Sequence, residues 1–98
     1  MVREDEQVTS RVVITVLGSD RPGIVAAVAA ALARHEANIL DISQTILQGI
    51  FTMTMICELG GLADGFTALR ADLEELSQEL DVQITMQREE VFNFMYRL

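Results

Sequence analysis

Lysine and tryptophan are absent from this 98-residue chain, and cysteine, proline and histidine occur once each. A single cysteine cannot form an internal disulfide, which fits a reducing cytoplasm. The seven basic residues are all arginines, scattered against fifteen acidic ones for a net charge of −8. A nucleic-acid binder needs a positive footprint on the phosphates, and none is present. Only five aromatics occur, three of them in the last eight residues, so a base-stacking platform is excluded as well. No apolar run approaches the ~20 residues that span a bilayer, so no membrane partner is expected. The opening Met1-Val2-Arg3-Glu4-Asp5-Glu6-Gln7 is too acidic for a signal peptide. The lone His35 has no second histidine or cysteine nearby, and neither zinc-ligand spacing, a Ser-His-Asp set nor a phosphate loop occurs.

What remains is half hydrophobic. A chain of this size buries about 60–65 % of its unfolded surface as one domain. Residues 1–10 are polar and read as a flexible tail. Arg11 to Leu17 is apolar on both faces, which suits a central strand. Asp20 then offers an N-cap, Pro22 fits a first helical turn, and a helix is expected from about Pro22 or Gly23 to His35. Ile24, Val25, Val28, Ala29 and Leu32 recur along one face of it.

Asn38 to Leu47 alternates as a strand, with Leu40, Ile42 and Ile46 expected toward the core and Asp41, Ser43 and Thr45 away from it. Gln48-Gly49 makes a two-residue hairpin turn into a third strand, Ile50 to Leu59, whose core face carries Phe51, Met53, Met55, Cys57 and Leu59. After Gly60-Gly61, the stripe Leu62, Phe66, Leu69, Leu73, Leu76 and Leu80 marks a second helix, from about Asp64. Its wet face carries Arg70, Asp72, Glu74, Glu75 and Glu79. A fourth strand, Val82 to Arg88, completes the order. The fold class is α+β: a ferredoxin-like βαββαβ unit with a four-stranded antiparallel sheet and two helices on one face. Residues 91–98, with Val91, Phe92, Met95 and Leu98 at helical spacing, add a short C-terminal helical extension. So apolar an extension is expected to pack against the body or a partner subunit.

The most informative stretch runs from Val12 through Gly18-Ser19-Asp20-Arg21-Pro22-Gly23-Ile24-Val25, a strand that turns over a short loop into a helix start. Such a start presents unpaired N–H groups and partial positive charge to an anion. With Asn38-Ile39-Leu40-Asp41 opening the next strand, the chain over residues 11–90 resembles the ACT domain. Its ending, Val91-Phe92-Asn93-Phe94-Met95-Tyr96-Arg97-Leu98, resembles that of the small standalone ACT proteins of bacteria and archaea, which are similar to the ACT modules of the glycine cleavage system repressor. The resemblance implies a non-catalytic regulatory module that pairs with itself and needs no cofactor. It further implies that an amino acid binds at the subunit interface. The loop of one copy supplies Asp20, Arg21, Pro22, Gly23 and Ile24, and the second strand of another supplies Asn38 and Ile39.

Each of these residues also has a structural reading. Gly23 either admits a ligand carboxylate to the helix start or allows tight loop packing. Asp20 is foremost an N-cap, worth about 1 kcal/mol, and can also hold an ammonium group. Asn38 either hydrogen-bonds a ligand or ends the preceding helix in the left-handed conformation. Arg21 pairs with an anion or is solvated. His35 suits a helix C-terminus, and Cys57 reads as a small buried hydrophobe. Two other functions compete: a protein-interaction module using the apolar extension and the sheet face, and an acyl-phosphate hydrolase with Arg21 on phosphate and Asn38 orienting water.

Overall fold

The computed structural model describes residues 9–60 and 64–90; residues 1–8 of the expected flexible tail (1–10) and the C-terminal extension (91–98) lie outside the described residues. Six elements follow in the expected order: β1 (Thr9–Ser19), α1 (Ile24–Arg34), β2 (Asn38–Leu47), β3 (Ile50–Gly60), α2 (Asp64–Leu80) and β4 (Gln83–Arg88). All strand pairs are antiparallel, in the spatial order β2-β3-β1-β4. β1 therefore lies centrally, as its two apolar faces require, and it begins at Thr9, so Thr9 and Ser10 join the sheet. No described helix is long and apolar enough to cross a membrane.

One face of the sheet carries the core. Val12, Ile14 and Val16 of β1 meet Phe51, Met53, Met55 and Cys57 of β3, beneath Ile24, Val28, Ala31 and Leu32 of α1 and Leu69, Leu73 and Leu76 of α2. The stripe read on α2 thus points inward. On α1 the expectation needs correcting: Val25 is exposed and Ala31 takes a place in the core, because the buried face recurs as Ile24, Val28, Ala31 and Leu32, a phase that turns Val25 outward.

The larger correction concerns β2. Leu40, Ile42 and Ile46 were expected to face the core, yet every residue of this strand is exposed. β2 is an edge strand. Ile42 and Ile46 do lie on the helix-bearing side, opposite Met55 and Phe51, but the core stops at β3 beside them. A bulge between Ile39 and Asp41 leaves Leu40 out of the pairing, so Ile39 and Ile42 share a face despite their odd spacing.

The two helices are joined at the surface by an ionic cluster. Asp72 Oδ2 accepts from Arg34 Nη2 at 3.0 Å and from His35 Nε2 at 2.9 Å. These two bonds, that of Arg34 foremost, hold the Asp72 carboxyl below its ordinary value. A carboxyl lowered in the folded state stabilises the protein fully above its unfolded value of about 3.9, and this contribution disappears as pH falls through the folded value. Asp72→Asn is expected to cost about 0.5–1 kcal/mol at neutral pH. In urea melts, its deficit relative to the parent chain should shrink toward about pH 3. An equal deficit at both pH values would show that the charge on Asp72 is irrelevant.

Candidate functional site

The loop between β1 and α1 is built differently from its sequence reading. Gly23 is the N-cap of α1, with φ of 92°, and no side chain caps the helix. Asp20 stands too far upstream to cap it. Its backbone N–H instead donates to Gly49 O of the hairpin turn at 2.8 Å. Pro22 lies in the turn before the helix rather than in its first turn. The reason is Gly23: a left-handed residue separates the proline from the helical residues, and glycine adopts that conformation without a Cβ penalty. An added Cβ would meet nothing within 4 Å, so tight packing does not explain this glycine.

The consequence is an open helix start. The first α1 bond to the cap is Ala27 N–H to Gly23 O at 2.9 Å. The N–H groups of Ile24, Val25 and Ala26 precede it, with neither a capping side chain nor an acidic residue in the first turn. Ile24 is 1 % exposed, so its side chain belongs to the core and only its N–H faces the loop. Arg21 has a structural partner that its sequence gave no sign of: Nη1 donates to Leu80 O at the end of α2, at 2.9 Å. The loop is thus tied to the β2–β3 hairpin on one side and to α2 on the other.

Asn38 and Ile39 stand elsewhere. Asn38 is the first residue of β2, opposite Glu58, while the hairpin end of the same strand, Leu47 opposite Ile50, lies near the loop. Nine residues of strand at ~3.3 Å each separate the two ends by about 30 Å. Within one chain, then, the loop and the Asn38 pair do not form one site. Nor does Asn38 end α1 in the left-handed conformation; Glu36, with φ of 56°, takes that role. The same separation removes the hydrolase arrangement within one protomer, since Arg21 and Asn38 cannot reach a common phosphate.

The remaining candidates resolve locally. His35 Nε2 is engaged by Asp72. Cys57 is fully buried, and desolvation pushes its thiol up to about 11, which leaves it protonated and unreactive at neutral pH. Among the described residues, no group of three or more His, Cys, Asp or Glu side chains is placed to hold a metal ion.

A family model described as the ACT domain matches residues 10–87. The chain belongs to the ACT-domain family. It is 45 % identical over 89 residues to a UPF0237 protein of Methanocaldococcus jannaschii, covering 91 % of this chain and 99 % of that one. Among solved structures, an ACT domain protein from Streptococcus pneumoniae superposes with a TM-score of 0.75 at 41 % identity, covering 85 % of this chain and 93 % of that one. A putative glycine cleavage system transcriptional repressor matches at the same TM-score and 31 % identity, over 83 % of this chain and 46 % of its own. ACT domains are regulatory small-molecule-binding modules, and this ACT domain carries the ferredoxin-like fold expected of one.

Proposed function

We propose that this ACT domain is a non-catalytic regulatory module of the cytoplasm that binds an amino acid, or a similar small carboxylate metabolite, at a homodimer interface. One observation carries the reading: the open helix start and Asn38 lie at opposite ends of an exposed edge strand whose outer side pairs with no other strand among the described residues. Unpaired strand edges favour pairing with another chain. When two β2 edges pair antiparallel about a two-fold axis, the Asn38 end of each runs alongside the hairpin end of the other. The partner's Asn38 and Ile39 are thereby brought to the side on which the loop lies.

The chemistry suits an amino acid. Three convergent N–H groups at a helix start receive a carboxylate, and the amide of Asn38 donates and accepts toward the ligand's polar groups. Asp20, exposed beside the loop, supplies a counter-charge for an ammonium group.

A thermal-shift screen over the twenty amino acids and common metabolites tests this. A ligand at a hundred times its Kd adds about 2.7 kcal/mol to the native state, a rise of several degrees in a domain of this size. The rise should disappear in Asn38→Ala, whose side chain is exposed and outside the core. A flat response across the panel would end the ligand reading. A response that survives both Asn38→Ala and dissociation to monomers would move the site away from the interface.

A further inference from the structure

β4 forms the second edge of the sheet, since no other strand among the described residues pairs along its outer side. Residues 83–87 carry no charge and no proline, and their register with β1 runs unbroken from Gln83 to Arg88. An edge without charge, proline or bulge is open to pairing with another chain unless something covers it. Along this edge α2 and β4 leave a cleft of about 240 Å³. Leu73, Ile84 and Met86 give it an apolar lining, and the exposed Arg70 and Glu74 stand beside them on α2.

We infer that the C-terminal extension of the same chain, residues 91–98, folds back over the β4 edge and seats its apolar face in this cleft. Position, length and charge select this occupant. The extension leaves directly from β4: Glu89 and Glu90 are helical, and Glu89 Oε1 stands 3.6 Å from Arg11 Nε. A helix continued from there to Leu98 measures about 15 Å, close to the ~17 Å of strand it has to cover. Val91, Phe92, Met95 and Leu98 share one face of such a helix. A cavity of about 150 Å³ admits benzene, so the cleft has room for the Phe92 ring. Arg88 lies over the Phe66 ring, 4.4 Å from its centroid, which sets the end of β4 level with the start of α2. From that point a returning helix and α2 advance in the same direction, at the same rise of about 1.5 Å per residue. Arg97 thereby comes level with Glu74, its opposite in charge. The consequence is a sheet with one open edge, β2. Pairing through one edge stops at two copies, whereas two open edges build an unbounded sheet.

The seat depends neither on a ligand nor on β2 pairing. Amide hydrogen exchange followed by NMR on the full chain tests it with Phe92→Asp and Met95→Asp. In either variant the N–H groups of residues 84–87 should exchange at least about tenfold faster than in the parent chain, as the loss of one buried apolar anchor implies. Those of β3 should keep their parent rates, which verifies the fold. Protection of β4 in the parent should persist on dilution to single chains, because the contact lies within one chain. Equal β4 rates in the parent and both variants would overturn the inference. So would a rise shared equally by β3, which reports global loosening. Protection that disappears on dilution would overturn it as well, by giving the cleft to the extension of a second copy.

Discussion

Leu69→Ala is expected to lower stability by about 2–5 kcal/mol, read as a shift of the urea midpoint at constant slope. Leu69 is fully buried at the centre of the α2 stripe and packs into the one core that both helices share with the sheet. Truncation removes the transfer free energy of the lost groups and leaves a cavity that α2 closes only by moving off the sheet. A domain of this size has about 5–15 kcal/mol of stability in total, so the variant should be partly unfolded near physiological temperature. Ile46→Ala is the contrasting case. Ile46 is as apolar, but 52 % exposed on the edge strand, and its loss should change chain stability by no more than about 0.5 kcal/mol. Equal costs at the two positions would show that β2 is covered in solution as thoroughly as the core.

Gly18→Ala is expected to cost about 1–3 kcal/mol through overpacking, although a methyl group is the smallest possible addition. A Cβ at Gly18 would stand 2.7 Å from Val82 Cγ1, 3.0 Å from its Cβ and 3.2 Å from its Cα. Val82 follows the left-handed Asp81, and its N–H bonds Ser77 O, so its backbone is held and cannot easily yield. Trimming the obstructing side chain should recover part of the loss. In the double variant with Val82→Ala, the combined cost should fall below the sum of the single costs, with a residue of strain from the remaining backbone approach. Strict additivity would mean that the two residues do not meet in the manner described. The consequence extends to the loop: Gly18 and Arg21 both hold the β1–α1 connection against the end of α2, so displacement there should also disturb the helix start.

Much of the fold was legible because its elements bury one regular face. The alternation of β3 and the three-to-four spacing of Leu69, Leu73 and Leu76 each report a periodic environment, and the positions they mark are buried. The loop was legible as a location but not as a geometry. Asp20, Pro22 and Gly23 all favour a helix start, and local preference alone gave the cap to the aspartate. In the fold, the Asp20 N–H is drawn to Gly49 of a distant hairpin, and the left-handed Gly23 takes the cap. The bond from Arg21 to Leu80 spans 59 residues and leaves no trace in local pattern.

By itself, then, the order of residues determined the six elements, their antiparallel βαββαβ arrangement and the place where the chain turns from β1 into α1. These depend on local propensity and on periodic burial, both of which are written along the chain. Only the tertiary structure decided that β2 is an edge. Its alternating isoleucines look like a core strand because periodicity records which side a residue faces, not whether anything covers that side. Coverage depends on where the helices cross, and they leave β2 bare. That bare edge holds Asn38 at one end and the open helix start near the other, about 30 Å apart, and this separation follows from the sheet order alone.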